Sequence, residues 1–185
     1  MASQNPPVPE KLLPAVYRYI TTHDADGKPT FETGVKEEID FDRTPMGGDL
    51  FLVYSGIKYP VPLANDSDLN TYKEHCVKKP ESFMIPGGFL SRYIDYHPSA
   101  PPLWHRTTTL DFAVVIEGQV QLELESGEKR ILKKGDVAVQ RGTMHAWSNP
   151  SSSEFARVFY VALDANAPVV NGQELGESLG VVSHK

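Results

Sequence analysis

The sequence predicts an all-β protein, a sandwich or barrel of short antiparallel strands, on three observations. Between Trp104 and Asn149 apolar residues recur with a period of two, at Val114, Ile116, Val120, Leu122 and Leu124, the spacing of strands with one buried face. Turn residues break these runs at short intervals, as Glu117-Gly118, Ser126-Gly127 and Lys134-Gly135-Asp136. Fifteen prolines and fourteen glycines in 185 residues favour many turns over long helices. Strands this short cannot stand alone and must close on one another.

Taken in order, residues 1–15 are proline-rich and polar and read as an extended arm, and residues 16–180 read as one domain. Val16 to Thr22 is β-branched and aromatic and predicts a strand; His23-Asp24-Ala25-Asp26-Gly27 turns it, and Pro29 to Thr33 returns as its partner. Lys36 to Gly48, with Met46-Gly47-Gly48, predicts a loop, and Asp49 to Ser55 a buried strand. Asp66 to Val77 predicts the best helix, capped by Asp66 or Ser67, with Leu69, Tyr72 and Cys76 on one face and His75 exposed. Phe89 to Tyr96 predicts a strand that a proline-rich corner, Pro98–Pro102, connects to Trp104-His105. Phe155 to Leu163 is a last strand whose parity buries one aromatic or aliphatic set, and the tail is polar with one amphipathic turn. The expectation is about eight to ten strands and one or two short helices.

Composition narrows the function classes. A hydrophobic share of 40% and a charged share of 23% are those of an ordinary globular protein. The net charge of −6 argues against a nucleic-acid or anionic-membrane partner, each of which favours a basic patch. A lone cysteine, Cys76, allows no intrachain disulfide. Without an apolar leader core or a run long enough to span a bilayer, the expected location is the cytoplasm.

The central stretch resembles the two motifs of the cupin superfamily. The first stands here as His105-x-Thr107-x3-Asp111-x6-Gly118 and the second as Gly135-x4-Gln140-Arg141-Gly142-x2-His145-x3-Asn149. Over residues 16–180 the chain further resembles a subfamily of single-domain fungal and bacterial cupins, in its WHRTTTLDF and QRGTMHAWSN stretches and its LGESLG tail. The resemblance implies a jelly-roll β-barrel, a place in small-molecule or secondary-metabolite pathways, and a homodimer. In metal-bearing cupins two histidines and a glutamate of the first motif and one histidine of the second hold a divalent ion. Here threonine stands at position 107 and aspartate at 111, so three of the four ligands remain: His105, Asp111 and His145.

Placed on one strand, positions 105, 107 and 111 share parity and point to one side. Two arrangements of His105, Asp111 and His145 stay open. One is a three-ligand metal site for Fe, Mn, Ni or Zn. The other is a metal-free acid–base set, with His145 as base and His105 with Asp111 as acid pair, the carboxylate raising the pKa of its histidine. Arg92, Tyr96, Thr107 and Trp147 are candidate substrate contacts, with Tyr93 in place of the first two if the strand parity is reversed. Arg141 faces solvent or an anionic substrate, Glu117 sits at the rim, and Asn149 serves a turn. The leading function is a lyase or isomerase performing dehydration, isomerisation, cyclisation or decarboxylation on a polyketide-like intermediate. A metal-dependent dioxygenase and a non-catalytic ligand-binding barrel are the alternatives.

Overall fold

The computed structural model describes residues 13–44, 47–80 and 82–179. Most of the expected N-terminal arm, Met46 of the glycine loop and the last residue of the LGESLG tail therefore lie outside the described residues.

Short strands dominate the described chain. Two of them, β1 (Thr21–His23) and β2 (Pro29–Phe31), form the expected hairpin. The strand expected from Val16 begins only at Thr21. Residues 16–20 instead run beside residues 37–39 with a single bridge, Tyr17 to Glu38. Next come β3 (Asp42–Arg43), β4 (Gly48–Gly56) and the helix α1 (Ser67–Val77), entered through a 3₁₀ turn at Ala64–Asp66. The barrel continues with β5 (Phe89–Tyr96), β6 (Leu103–Arg106), β7 (Thr109–Glu117), β8 (Gln119–Leu124) and β9 (Lys129–Lys133). It closes with β10 (Val137–Arg141), β11 (His145–Ser148), β12 (Ala156–Asp164), β13 (Val169–Val170), β14 (Gln173–Glu174) and β15 (Ser178–Leu179). The small β13–β14 hairpin replaces the amphipathic turn expected in the tail.

Two sheets face each other. One has six strands in the order β10-β7-β12-β5-β4-β3, and the other five in the order β15-β6-β11-β8-β9. This is the jelly-roll arrangement, with apolar side chains of both inner faces meeting between the sheets. Gly118 makes the β7–β8 turn with φ +70, and a Cβ there would lie 2.8 Å from the Phe155 carbonyl oxygen, so only glycine fits.

The interior is filled unevenly along the strands. Ala113 and Val115 of β7 and Ala156 and Val158 of β12 pack with Val120, Leu132 and Trp147 into the main core. Further along the same strands, Asp111 of β7 and Tyr160 and Ala162 of β12 line a cavity instead. One part of the barrel is thus packed and the rest is hollow.

Helix α1 covers β4. Leu69 and Tyr72 are buried, and the Tyr72 hydroxyl donates to the Leu52 carbonyl at 3.0 Å. Cys76 is exposed, contrary to the expected stripe. The buried face advances from Tyr72 to His75, whose Nδ1 shares a 2.8 Å hydrogen bond with Ser55 Oγ, so His75 is half-buried rather than exposed. No helix among the described residues is long and apolar enough to cross a membrane.

Candidate functional site

Residues of alternate parity on β5 point into the hollow: Leu90, Arg92, Ile94 and Tyr96 line it, while Asp95 faces the other way and pairs with Arg157. The cavity offers about 830 Å³ of space, counting the solvent at its mouth.

At its centre stand two histidines on neighbouring strands. His105 of β6 and His145 of β11 are directly opposite in the antiparallel register, and their rings lie 4.2 Å apart at 59°. Each ring is anchored by the main chain: His105 Nδ1 donates to the Leu103 carbonyl at 3.0 Å and His145 Nδ1 to the Thr143 carbonyl at 2.9 Å. A nitrogen facing a carbonyl must carry the proton, so in the neutral ring Nε2 keeps the lone pair. Burial pushes the His145 pKa down to about 3, helped by the neighbouring His105 and opposed by the bond to Thr143. Burial also lowers His105, partly countered by its bond to Leu103. Both imidazoles are therefore neutral near pH 7, each with an unprotonated Nε2. Phe83 stacks on His105 with centroids 5.4 Å apart at 28°.

Asp111 is placed differently from the expectation. The strand breaks at Thr107 and Thr108, so His105 belongs to β6 in the five-stranded sheet and Asp111 to β7 in the six-stranded one. Parity counted along a single strand does not connect them, although His105, Thr107 and Asp111 all line the cavity. Asp111 Oδ2 accepts a 2.9 Å bond from Gln140 Nε2, its cross-strand neighbour. Among the described residues no hydrogen bond or ion pair joins it to either histidine, and the expected rise in histidine pKa is a fall. The expected His105–Asp111 acid pair is not formed. Burial raises the Asp111 pKa against the pull of Thr109, Gln140 and Arg92.

The same geometry tests the metal reading. No three His, Cys, Asp or Glu side chains among the described residues converge to hold an ion. The two histidines meet, but the Asp111 carboxylate does not converge with them to make a third ligand among the described residues. The residues as placed do not fit the three-ligand site.

The remaining walls supply donors. Tyr96 and Tyr160 share a 2.8 Å bond between their hydroxyls, and burial raises both pKa values, so both phenols keep their protons. Thr107 and Thr109 hydroxyls bond at 2.7 Å. Arg92 Nη2 donates to the Phe83 carbonyl at 3.2 Å, and its guanidinium lies 5.6 Å from the Phe83 ring centre. Burial lowers its pKa to about 10, against the field of Asp111, which leaves it cationic at neutral pH. Trp147 lines the cavity and packs in the core, and its Nε1 is buried without a hydrogen-bond partner among the described residues, as are Asp111 Oδ1 and Gln140 Oε1.

The structure brings Arg92, Tyr96, Thr107 and Trp147 to the cavity as the sequence suggested. Arg141 is exposed, Glu117 pairs with Lys134 at 2.8 Å, and Asn149 donates to the Tyr96 and Glu154 carbonyls across a turn. Sequence reasoning missed Phe83, Gln140 and Tyr160. Tyr160 was within reach, because it shares parity with the apolar Val158 and Ala162. Gln140 precedes Arg141 and alternates with the exposed Val139. Phe83 lies in a loop without periodicity and gave no signal.

A two-sheet jelly roll with a hollow carrying two histidines defines the class, and the chain belongs to the cupin-domain family. The family model, described as a cupin domain, matches residues 92–161, from Arg92 to the middle of β12. The chain is 60% identical to Oryzines biosynthesis cluster protein J of Aspergillus oryzae, over 96% of this chain and 98% of that protein. It is 41% identical to Phomopsin biosynthesis cluster protein D of Diaporthe leptostromiformis, over 97% and 93%. It is 37% identical to Cupin-domain-containing oxidoreductase srdB of Neurospora crassa, over 96% and 90%.

Proposed function

We propose that the protein is an enzyme of small-molecule biosynthesis that moves a proton on an organic substrate held in the barrel, as a lyase or isomerase. The observation that carries this reading is the His105–His145 pair, two neutral imidazoles whose Nδ1 protons are committed to backbone carbonyls. A general base must be unprotonated and within reach of the substrate's acidic proton. The unprotonated Nε2 of one imidazole of the pair, His145 or His105, takes a proton from a carbon next to a carbonyl. The electron pair moves onto the carbonyl oxygen as an enolate, and the Tyr96–Tyr160 pair supplies a proton to that oxygen or to a departing hydroxyl. His105, at 4.2 Å, receives charge from a protonated His145 or acts in its place. The outcome is dehydration, isomerisation, cyclisation or decarboxylation according to what the substrate carries beside the enolate. The biosynthesis-cluster names of two relatives support a secondary-metabolite substrate.

A redox reading has its own support, the oxidoreductase name of the Neurospora crassa relative. One experiment separates the two. The gene is deleted in its host and restored as wild type, His145→Ala or His105→Ala, and the compound that accumulates is compared by mass spectrometry with the product. Loss of water or carbon dioxide, or an isomer of equal mass, is the expected difference. His145→Ala should lower product formation about a hundredfold or more. Gain of oxygen or loss of hydrogen would favour the redox reading, and undiminished product in both variants would remove the histidines from catalysis.

A further inference from the structure

We propose that the cavity recognises a small molecule bearing a carboxylate, held by Arg92, with its apolar body against the barrel wall. The inference deepens the preceding section and rests on its reading of the cavity as the substrate site. Arg92 projects from β5 into the hollow and is the one cationic side chain among the described residues lining it. A guanidinium has five N–H donors, and among the described residues one bond is made, to the Phe83 carbonyl. No carboxylate lies within salt-bridge distance of it among the described residues, whereas Arg157 of the same sheet is paired with Asp95 at 2.6 Å. Asp111 of the same cavity acts on Arg92 through its field but does not pair with it, and a buried guanidinium without a contact partner is costly unless an anion arrives to complete it.

The surroundings select the kind of anion. The histidines beside it are neutral and the phenols protonated, so Arg92 is the one positive charge facing the hollow among the described residues; Asp111 acts on it only through its field and makes no salt bridge with it, which leaves the contact position open to one monoanionic group. A planar carboxylate matches the guanidinium fork with two parallel bonds. Leu50, Leu90, Ile94 and Leu103 give an apolar wall for the rest of the molecule. Among the described residues Asp111 Oδ1 and Gln140 Oε1 are unpartnered acceptors; they repel an acid group and leave the Arg92 side as its place. Phe83 fixes where the acid sits relative to the chemistry, since its ring touches both the Arg92 guanidinium and His105. The anchored carboxylate therefore lies near the imidazoles, and Arg92 offsets its charge while a second negative charge develops on the enolate.

The test uses hexanoate, hexanamide and hexylphosphonate as probes, titrated calorimetrically into the purified protein at neutral pH. Hexanoate should bind roughly tenfold or more tightly than hexanamide, as a charge-assisted pair implies, and more tightly than hexylphosphonate. Arg92→Gln should erase the preference for the acid and Arg92→Lys keep part of it, both with unfolding temperatures at or above wild type because no native ion pair is lost. Equal binding of acid and amide, no binding of the acid, a preference that survives Arg92→Gln, or tighter binding of the phosphonate would each overturn the proposal. His145→Ala separates it from the catalytic reading: it should bind hexanoate with the preference intact while losing product formation.

Discussion

Strands β5 and β12 carry two arginines on opposite faces of one sheet, and their surroundings differ. Arg157, on the outer face, is 2% exposed and bonded through each of its three guanidinium nitrogens. Its Nε and Nη2 grip the two Asp95 oxygens at 2.6 and 2.8 Å, its Nη1 donates to the Pro14 carbonyl at 2.6 Å, and its plane lies 4.9 Å from the Phe41 ring centre. Arg92, on the inner face, holds the Phe83 carbonyl and, among the described residues, feels Asp111 only through its field, with no salt bridge. A buried charge completed within the protein fastens parts of the fold, here the segment at Pro14 to the sheet. A charge left incomplete inside a cavity is placed for something that arrives from outside.

This contrast is most directly broken by mutation. Arg157→Met removes both donors from the buried Asp95 carboxylate and should cost about 3–5 kcal/mol, the usual result of breaking a buried pair from one side. Arg92→Met should leave stability unchanged or higher. Urea unfolding of the two variants checks the pair, and equal losses would show that Arg92 is as structural as Arg157.

Acid should distinguish the cavity next. The folded His145 pKa lies near 3 against an ordinary 6.5, so below that ordinary value the unfolded chain takes up a proton that the folded chain refuses. The stability associated with neutral His145 is thus present above about pH 6.5 and is lost as pH falls toward 3. At pH 5 the loss should be about 2 kcal/mol relative to pH 7. His145→Asn should flatten this part of the unfolding profile, whereas Arg157→Lys should leave its slope unchanged. The smallest effect belongs to the exposed pair of Lys134 with Glu117: Lys134→Ala should change stability by less than about 0.5 kcal/mol in the same assay. That variant calibrates how little an ion pair contributes when water already solvates it.

Much of the fold was legible because its signals are local. Period-two apolar runs ended by glycine turns marked β7 to β10, and the boundaries expected at Phe89–Tyr96 and Asp66–Val77 fall within a residue of β5 and α1. The site was legible as a set of positions but not as a geometry. His105, Asp111 and His145 do line one cavity, yet the bend at Thr107 and Thr108 moves the chain from one sheet to the other, and parity cannot be carried through such a break. The partner of Asp111, Gln140, is 29 positions away and is set by cross-strand register. Burial then settled the direction of the histidine pKa shifts, which depends on depth in the finished barrel rather than on sequence neighbours.

The anchoring of the two imidazoles has a consequence for how the protein can change over generations. Their proton placement is dictated by the carbonyls of Leu103 and Thr143, and every amino acid brings a carbonyl. Substitution at either position alters the side chain and leaves the acceptor where it was, provided the strand ends keep their path. Descendants can therefore remodel the neighbouring wall to accept new molecules while inheriting the same unprotonated nitrogens, a separation of reactivity from selectivity that is written into the main chain.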